Sequence, residues 1–400
     1  WLKNRLAARP APCRLLSQQP RTPLVAMLAG VIGTIAHQWA VLNTILYSLL
    51  QIVFDQRMGS RISLRSYIID FCKMLVLEGL TNPHLTCEQV AEQALGEGSY
   101  GALEGRVAIV TGASSGLGTE HARVLMKYGC HVVFAVRSPE KAKEVLGALQ
   151  AKEKFSGKAT ILKIDLDDLS TVRPFVREFL ALGLPLHYLI NNAGVMTPKE
   201  FRASKQGYET QFATNHLAPF LLTELLMPKL RETRARGDDV RIVIVSSVGS
   251  TLCKPIELDK FVPPSKDMYN GIAEYGISKA LNLFHCRELQ RRCAGDGISV
   301  CAVHPGVIKT GLIREGNAAS TSLYESVLFT WMHKDVPEGA ATQMYCTLSP
   351  EVPKQIQQGG ACFWFNSAPQ RAVGVAAPGV KDHLLEKLWE ISESLVEPYR

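Results

Sequence analysis

Short apolar runs alternate with longer stretches of helical periodicity along the last three quarters of the chain. The first run, Val107–Val110, leads into a glycine-rich turn and a helix predicted over about 116–128. Later runs rich in Val, Ile and Leu predict strands at 131–136, 160–164, 186–190, 241–245, 299–303 and 361–365. The periodicity between them predicts helices from about 139 and over about 170–182, 208–231 and 273–293. This alternation predicts an α/β fold, in which a doubly wound parallel sheet of the Rossmann-like type is covered by helices on both faces.

The N-terminal part of the chain has a different hydropathy pattern. From Thr22 to Phe54 there is no Asp, Glu, Lys or Arg, which gives 33 uncharged residues where about 20 are enough to span a bilayer. We therefore predict a transmembrane segment at 23–54 rather than a buried core helix or hairpin.

A helical connecting segment is predicted at 55–103. Within it, residues 66–80 have the spacing of an amphipathic helix that packs on a membrane or on a partner, and residues 88–95 form a second short helix. A glycine-containing linker follows from Gly96. The predicted globular domain is 104–400, preceded by an N-terminal helical, membrane-associated extension.

The net charge of +7 is concentrated at the N-terminus. Residues 1–22 hold five basic side chains and no acidic one, which leaves 39 basic against 37 acidic residues in the rest of the chain. A basic leader without acidic residues is typical of mitochondrial targeting segments. We therefore predict a membrane location, with the mitochondrial inner membrane favoured over the endoplasmic reticulum. The nearly neutral remainder gives no indication of nucleic-acid binding.

The ten cysteines are scattered along the sequence. They form no C-x-x-C pair and no Cys/His cluster at metal-binding spacing. We predict reduced thiols and no metal site, which favours a reducing compartment for the globular part.

The turn after the first strand reads Thr-Gly-Ala-Ser-Ser-Gly-Leu-Gly over residues 111–118. Glycines between a buried strand and a helix let the backbone turn tightly, and they let a pyrophosphate approach the amides at the helix N-terminus. The Gly-x-x-x-Gly-x-Gly spacing differs from the Gly-x-Gly-x-x-Gly of other dinucleotide-binding folds. The predicted cofactor-binding residues of this loop are Gly112, Ser114, Ser115, Gly116, Leu117 and Gly118.

Cofactor choice depends on the residue that ends the second strand. An acidic residue there accepts from the ribose 2′-hydroxyl of NAD, whereas an arginine suits the 2′-phosphate of NADP. Arg137 occupies this position, with no acidic residue before Glu140. We therefore predict NADP(H) as the cofactor.

Two further turns are predicted to contact the cofactor. Asp165, followed by Leu166, ends the third strand, and two roles are open for its carboxylate: it accepts a hydrogen bond from the adenine amino group, or it caps the next helix. After the fourth strand, Asn192, Ala193 and Gly194 form a tight polar turn that we expect beside the glycine loop.

Tyr275 and Lys279 lie four residues apart on a predicted helix and therefore share one face. An ammonium beside a phenol favours the phenolate. We therefore expect Lys279 to lower the pKa of Tyr275, which would let Tyr275 act as a general acid or base nearer neutral pH. Ser247 follows the fifth strand, where its hydroxyl can polarise a carbonyl oxygen. With Asn215, these residues are the predicted catalytic set.

In these motifs the chain resembles the short-chain dehydrogenase/reductase family from about residue 104 to the C-terminus. The matching residues, in order, are Thr111-Gly112-x-x-x-Gly116-x-Gly118, Asn191-Asn192-Ala193-Gly194, Asn215, Ser247, Tyr275-x-x-x-Lys279, and Pro305-Gly306 with Thr310.

The resemblance implies a role for each matching residue. Tyr275 is the proton donor or acceptor, and Lys279 binds the nicotinamide ribose and tunes Tyr275. Ser247, rather than its neighbour Ser246, holds the reacting oxygen, and Asn215 supports a water-linked proton relay. The implied cofactor-binding residues further along the chain are Pro305, Gly306 and Thr310. Residues 214–223, the turn at Arg137 and the tail over 337–389 resemble the retinol dehydrogenase and WW-domain oxidoreductase branch.

The sequence thus predicts a membrane-anchored, NADP(H)-dependent oxidoreductase. Its expected substrate is a lipophilic small molecule, an alcohol/carbonyl pair of the retinoid, steroid or fatty aldehyde type. Apolar residues within 305–332 suggest a lipophilic pocket, or they belong to the core side of one helix. The alternative function is a structural or accessory subunit of a larger membrane complex that keeps the NADP(H)-binding fold with little turnover.

Overall fold

The computed structural model describes a defined part of the chain. This part comprises residues 84–196, 198, 200–252, 266, 269–308, 333–359, 363–365, 367–370 and 382–400. The predicted leader at 1–22, the predicted membrane segment at 23–54 and the predicted helix at 66–80 lie outside it. No helix in the described part is both long enough and apolar enough to cross a bilayer.

The described strands form one large sheet and one small one. Their bounds are β1 (Val107–Thr111), β2 (His131–Val136), β3 (Ala159–Lys163), β4 (Tyr188–Asn191), β5 (Arg241–Val245), β6 (Ser299–His304), β7 (Val307–Ile308), β8 (His333–Lys334), β9 (Phe363–Phe365) and β10 (Ala368–Gln370). The large sheet has the order β10-β9-β6-β5-β4-β1-β2-β3, and every pair is parallel except β9 with β10. The predicted parallel sheet is confirmed.

Helices connect the strands and cover the sheet. Their bounds are α1 (Cys87–Leu95), α2 (Gly116–Lys127), α3 (Pro139–Gln150), α4 (Val172–Ala181), α5 (Thr210–Phe212), α6 (Ala218–Ala235), α7 (Gly271–Arg292), α8 (Val336–Gly339), α9 (Ala341–Leu348), α10 (Glu351–Gln357) and α11 (Asp382–Val396). Along β1, Val107 and Ile109 belong to the hydrophobic cluster on one face of the sheet, and Ala108 and Val110 belong to the cluster on the other. The sheet is therefore buried on both faces, as the Val/Ile/Leu-rich strands predicted.

The helix predicted over 208–231 is not continuous. The Glu209 carboxylate accepts from the Phe212 amide (2.9 Å) and caps α5. A π-helical turn, Ala213–Leu217, then separates α5 from α6. Because Pro219 has no N–H, it cannot return a hydrogen bond to the residue four positions earlier, which is Asn215. This backbone interruption lies at a predicted catalytic residue.

The first described helix, α1, shares the core of the sheet. Cys87, Val90 and Ala91 are buried in the same cluster as the residues of β1 and α2. At the surface, Arg123 of α2 forms an ion pair with Glu88 (2.8 Å). The packed core therefore begins before residue 104.

Candidate active site

The predicted cofactor loop lies at the carboxyl edge of the sheet, between β1 and α2. Gly112 and Gly116 have φ values of +69° and +56°, in the left-handed region that favours glycine. The neighbouring turn after β4 is bound to this loop: the Thr111 hydroxyl accepts from the amides of Asn192 and Ala193, each at 2.9 Å. The two predicted cofactor-binding turns therefore form one surface.

Gly118 leaves no room for a side chain. A Cβ there would lie 2.6 Å from the Gly112 carbonyl oxygen and 2.6 Å from Asn192 Nδ2, which itself donates to the Thr111 carbonyl oxygen (2.9 Å). Before it, Ser114 is half-buried and Ser115 is exposed, and within the described residues the Ser115 hydroxyl does not cap α2. A close-packed glycine turn with helix N-terminal amides that no side chain caps fits the pyrophosphate of a dinucleotide.

Arg137 ends β2 at the same edge of the sheet. Its side chain is exposed, and it makes no hydrogen bond or ion pair with the residues that the structure describes. The next residue, Ser138, accepts from the Lys141 amide (3.3 Å) and caps α3. Among the described residues the guanidinium therefore has no protein partner at the position where the sequence predicts a 2′-phosphate.

The structure bears on one of the two roles left open for Asp165, the helix cap. Its carboxylate accepts from the Asp167 amide (3.1 Å) within a local turn. The cap of the helical turn that follows is instead Asp168, which accepts from the Ser170 amide (3.0 Å). The capping role predicted for Asp165 is therefore wrong, and the adenine contact stays a prediction. Leu166, its neighbour, is buried.

The predicted acid/base group, Tyr275, lies on the buried face of α7. Its ring packs against the backbone of Gly249, where a Cβ would lie 2.9 Å from the Tyr275 Cε1 atom and 3.3 Å from Ser247 Oγ. Burial raises the pKa of the Tyr275 hydroxyl to about 12, and its hydrogen bond with Ser247 acts in the opposite direction. The phenol therefore carries its proton at neutral pH.

Lys279 is also buried on α7, one turn after Tyr275. Its Nζ donates to the Val245 carbonyl oxygen (3.0 Å) and lies 5.7 Å from the centre of the Tyr275 ring. Burial lowers the pKa of Lys279 to about 8. Burial is the largest influence on the pKa of Tyr275, and the Lys279 ammonium is directed at a backbone carbonyl. That Lys279 brings the pKa of Tyr275 towards neutrality stays a prediction.

Asn215 lies in the π-helical turn and is held on both sides. Its Oδ1 accepts from the Val195 amide (2.8 Å), and its Nδ2 donates to the Val195 carbonyl oxygen (3.0 Å). The same Nδ2 also donates to the Ser278 hydroxyl (3.0 Å), which donates to the Tyr275 carbonyl oxygen (2.8 Å). Ser278 thus connects two members of the predicted catalytic set, and sequence reasoning missed it. Its position three residues after Tyr275, on the same helical face, is the signal that identifies it.

The remaining predicted residues complete the same edge. Gly194 lies so close to the site that a Cβ would be 3.1 Å from Asn215 Oδ1 and 3.3 Å from Lys279 Nζ. Pro305 and Gly306 follow the end of β6, and Gly306 has a φ of +99°. Thr310 lies outside the described residues. No group of three or more His, Cys, Asp or Glu side chains in the described part could hold a metal ion.

Comparisons with known proteins agree with this architecture. The family profile described as short chain dehydrogenase matches residues 106–256. The short-chain dehydrogenase TIC 32 B, chloroplastic, of Brassica napus is 37% identical over 301 residues, which cover 72% of this chain and 88% of that protein. The chain therefore belongs to the short-chain dehydrogenase family.

Two further relatives define the branch within the family. Retinol dehydrogenase 12 of Mus musculus is 33% identical over 294 residues, covering 74% of this chain and 87% of its own. The WW domain-containing oxidoreductase of Danio rerio is 33% identical over 316 residues, covering 75% and 73%. The branch predicted from the sequence is confirmed.

A solved structure shows the same fold. An uncharacterized protein from Mycobacterium paratuberculosis superposes with a TM-score of 0.53 at 27% identity, covering 74% of this chain and 94% of its own. This agrees with the parallel sheet and helix arrangement described above.

Proposed function

We propose that this protein is a membrane-anchored oxidoreductase that transfers hydride between NADP(H) and a lipophilic alcohol/carbonyl pair. The observation that carries the proposal is the placement of the Tyr275 and Ser247 hydroxyls together at the carboxyl edge of the sheet, with Lys279 one turn away. That edge is where ligands bind in doubly wound sheets.

The geometry supports a role for each side chain. Ser247 and Tyr275 hold the reacting oxygen between two hydroxyl groups, and Tyr275 delivers or removes the proton. In carbonyl reduction the protonated phenol gives its proton to the developing alkoxide, and in alcohol oxidation the same oxygen takes the proton back. The nicotinamide, when bound, supplies the hydride. Lys279 is held beside the turn at Gly194, where the family resemblance expects the nicotinamide ribose.

Arg137 supports NADP(H) over NAD(H). A planar guanidinium just after β2, with no partner among the described residues, suits a 2′-phosphate, which it would bind through two parallel hydrogen bonds. Replacing Arg137 with Gln is expected to raise the Kd of NADPH about 10-fold or more and to leave the Kd of NADH unchanged. The matched control is Arg177→Gln, an exposed arginine on α4. Equal losses for both nucleotides would argue against the assignment.

Two observations support a lipophilic substrate and a membrane location. Two relatives, retinol dehydrogenase 12 and short-chain dehydrogenase TIC 32 B, are named as dehydrogenases, and the substrate in the first name, retinol, is a lipophilic alcohol. The uncharged run from Thr22 to Phe54 has the length and composition of a membrane anchor. With the basic leader, it favours the mitochondrial inner membrane, with the endoplasmic reticulum second.

The experiment that tests this function is NADPH oxidation by the full chain, purified in detergent. The panel consists of a retinaldehyde, a ketosteroid and a long-chain aldehyde, each with NADPH and with NADH. Turnover on at least one member, with NADPH preferred, is the expected result. Tight NADPH binding without turnover on any member would favour the accessory subunit of a membrane complex, and failure to bind NADPH would contradict the cofactor assignment.

A further inference from the structure

Tyr269 connects the catalytic helix to the turn that follows β4. It lies two residues before α7 begins and six residues before Tyr275. Its hydroxyl donates to the Pro198 carbonyl oxygen at 2.9 Å, and its ring meets the Phe201 ring edge-on, with the centroids 5.7 Å apart and the planes at 90°. One phenol thus joins two parts of the chain that are 71 residues apart.

The stretch that Tyr269 holds begins in the catalytic centre. At its start, Gly194 lies beside Lys279 Nζ, and the amide and carbonyl of Val195 are both hydrogen-bonded to the Asn215 carboxamide. Three residues later, the carbonyl oxygen of Pro198 accepts from Tyr269. The stretch is therefore fixed at both ends, by a catalytic side chain at one end and by Tyr269 at the other. The described residues of this stretch are apolar at Val195, Met196, Pro198 and Phe201, and these four residues are called the apolar wall.

The start of α7, next to Tyr269, is held by further hydrogen bonds. The Asn270 side chain accepts from the Ala273 amide (3.0 Å), and Gln211 Nε2 donates to the Gly271 carbonyl oxygen (3.1 Å). The start of α7 is thus bound to the element that precedes the π-helical turn. Burial, with the nearby carboxylates of Glu209 and Glu274, raises the pKa of the Tyr269 hydroxyl. The phenol therefore keeps the proton that it donates to Pro198.

We propose that Tyr269 is a specificity-determining positioning residue, which fixes the apolar wall of Val195, Met196, Pro198 and Phe201 against the start of α7 so that a long apolar substrate chain is aligned with Tyr275. This proposal rests on the proposed function and names a further residue of the same site. Tyr269 acts on the wall and takes no part in hydride or proton transfer. Its effect is therefore expected on substrate binding rather than on the chemical step.

The test is Tyr269→Phe, which removes one oxygen atom and keeps the ring that contacts Phe201. The KM for a retinaldehyde is expected to rise about 3- to 10-fold, the effect of one lost hydrogen bond. The KM for a short aldehyde such as butanal, the kcat for both substrates and the Kd of NADPH are expected to stay within about twofold of the wild type, because none of them depends on the far end of the wall.

The matched control is Tyr208→Phe. The Tyr208 hydroxyl also donates to a backbone carbonyl, that of Leu395 (3.3 Å), from a half-buried phenol next to a phenylalanine ring. It contacts the C-terminal helix rather than the wall, so its removal is expected to leave both KM values unchanged. Equal rises of KM in the two variants, an unchanged retinaldehyde KM in Tyr269→Phe, or a fall confined to kcat would each overturn the proposal.

A binding measurement separates this proposal from the proposed function. Retinaldehyde binding to the protein with NADP⁺ present is followed by quenching of tryptophan fluorescence, which needs no turnover. If the wild type binds but does not turn over, the proposed function fails, and a 3- to 10-fold weaker Kd in Tyr269→Phe still supports the role of Tyr269. If the wild type does not bind retinaldehyde at all, the role of Tyr269 is overturned as well.

Discussion

The hydroxyl of Ser246 donates to the backbone carbonyl oxygen of Lys279, 2.7 Å away. Ser246 is buried in this contact, and its neighbour Ser247 is turned the other way, where its Oγ accepts from the Gly249 amide (3.0 Å) and faces the Tyr275 ring. The two adjacent serines thus have different roles. Ser246 anchors α7, and the Ser247 hydroxyl is the one proposed to hold the reacting oxygen.

Substitution by alanine should separate these two roles. Ser247→Ala is expected to lower kcat about 100-fold or more, since one of two donors to the reacting oxygen is lost, with little change in unfolding free energy. Ser246→Ala is expected to lower the unfolding free energy by about 1 kcal/mol and to reduce kcat less than 10-fold. Steady-state kinetics and urea unfolding of the two variants check this. The reverse pattern would mean that Ser246 is the catalytic serine.

The glycine loop provides a second prediction. Gly118→Ala places a methyl group 2.6 Å from the Gly112 carbonyl oxygen, so the loop must shift. We expect NADPH binding to weaken at least about 10-fold and the unfolding free energy to fall by about 1 to 3 kcal/mol. The control is Gly147→Ala on α3, where a Cβ meets no atom within 4 Å and alanine should stabilise the helix by up to about 1 kcal/mol. Fluorescence titration of NADPH into both variants decides the point, and unchanged binding in Gly118→Ala would refute the packing argument.

The pH dependence of reduction should report Lys279. Burial lowers its pKa to about 8, so the ammonium is present below pH 8 and is lost above it, whereas Tyr275, with a pKa near 12, stays protonated throughout this range. We therefore expect kcat/KM for carbonyl reduction to fall as the pH rises through about 8. NADPH binding, measured without turnover, should weaken over the same interval. A rate that stays constant up to pH 10 would contradict this account.

Three buried histidines predict a loss of stability in acid. Burial lowers the pKa of His121 to about 3, of His216 to about 4 and of His285 to about 3, with the charge of His216 adding to the effect on His285. The unfolded chain binds protons near pH 6.5, so stability is fully present above that pH and falls as the pH decreases towards about 4. The loss is on the order of 2 kcal/mol per histidine at pH 5.

Chemical denaturation between pH 7.5 and 5 measures this loss. His216→Asn removes one titrating group, and it retains a polar side chain opposite Ser392, whose Oγ lies 3.0 Å from His216 Nε2. The pH dependence of this variant should be shallower than that of the wild type. A wild-type stability that does not change between pH 7.5 and 5 would show that these histidines are not buried in their neutral form.

Much of the fold could be predicted because the buried strands are continuous apolar runs. Val107–Thr111 and Arg241–Val245 are buried along their full length and lie where the hydropathy pattern predicted them. Patterns of this kind follow from burial on both faces of a parallel sheet. The strand at 363–365 and its antiparallel partner are short, and the sequence indicated only the first of them.

The details that the sequence did not predict depend on local backbone turns and on burial in the folded chain. The π-helical turn at Asn215 coincides with Pro219, which cannot donate a backbone hydrogen bond to Asn215, and the helical periodicity over 208–231 conceals this. The cap at Asp168 rather than Asp165 depends on how the chain turns after β3. The pKa values of Tyr275 and Lys279 depend on burial and on the direction of the ammonium. The spacing of four residues along a helix indicates neither of these.

The most direct test of the proposed chemistry is the transfer of deuterium from NADPH that carries deuterium at both positions of nicotinamide C4. The full chain is incubated with the labelled cofactor and a retinaldehyde, and the alcohol is examined by mass spectrometry. We predict one deuterium per alcohol molecule in the wild type. In Tyr275→Phe we predict a rate lower by about 100-fold or more with unchanged NADPH binding, because only the proton donor is lost. Alcohol formed without deuterium, or formed at the wild-type rate by Tyr275→Phe, would contradict the assignment of Tyr275 as the acid in a direct hydride transfer.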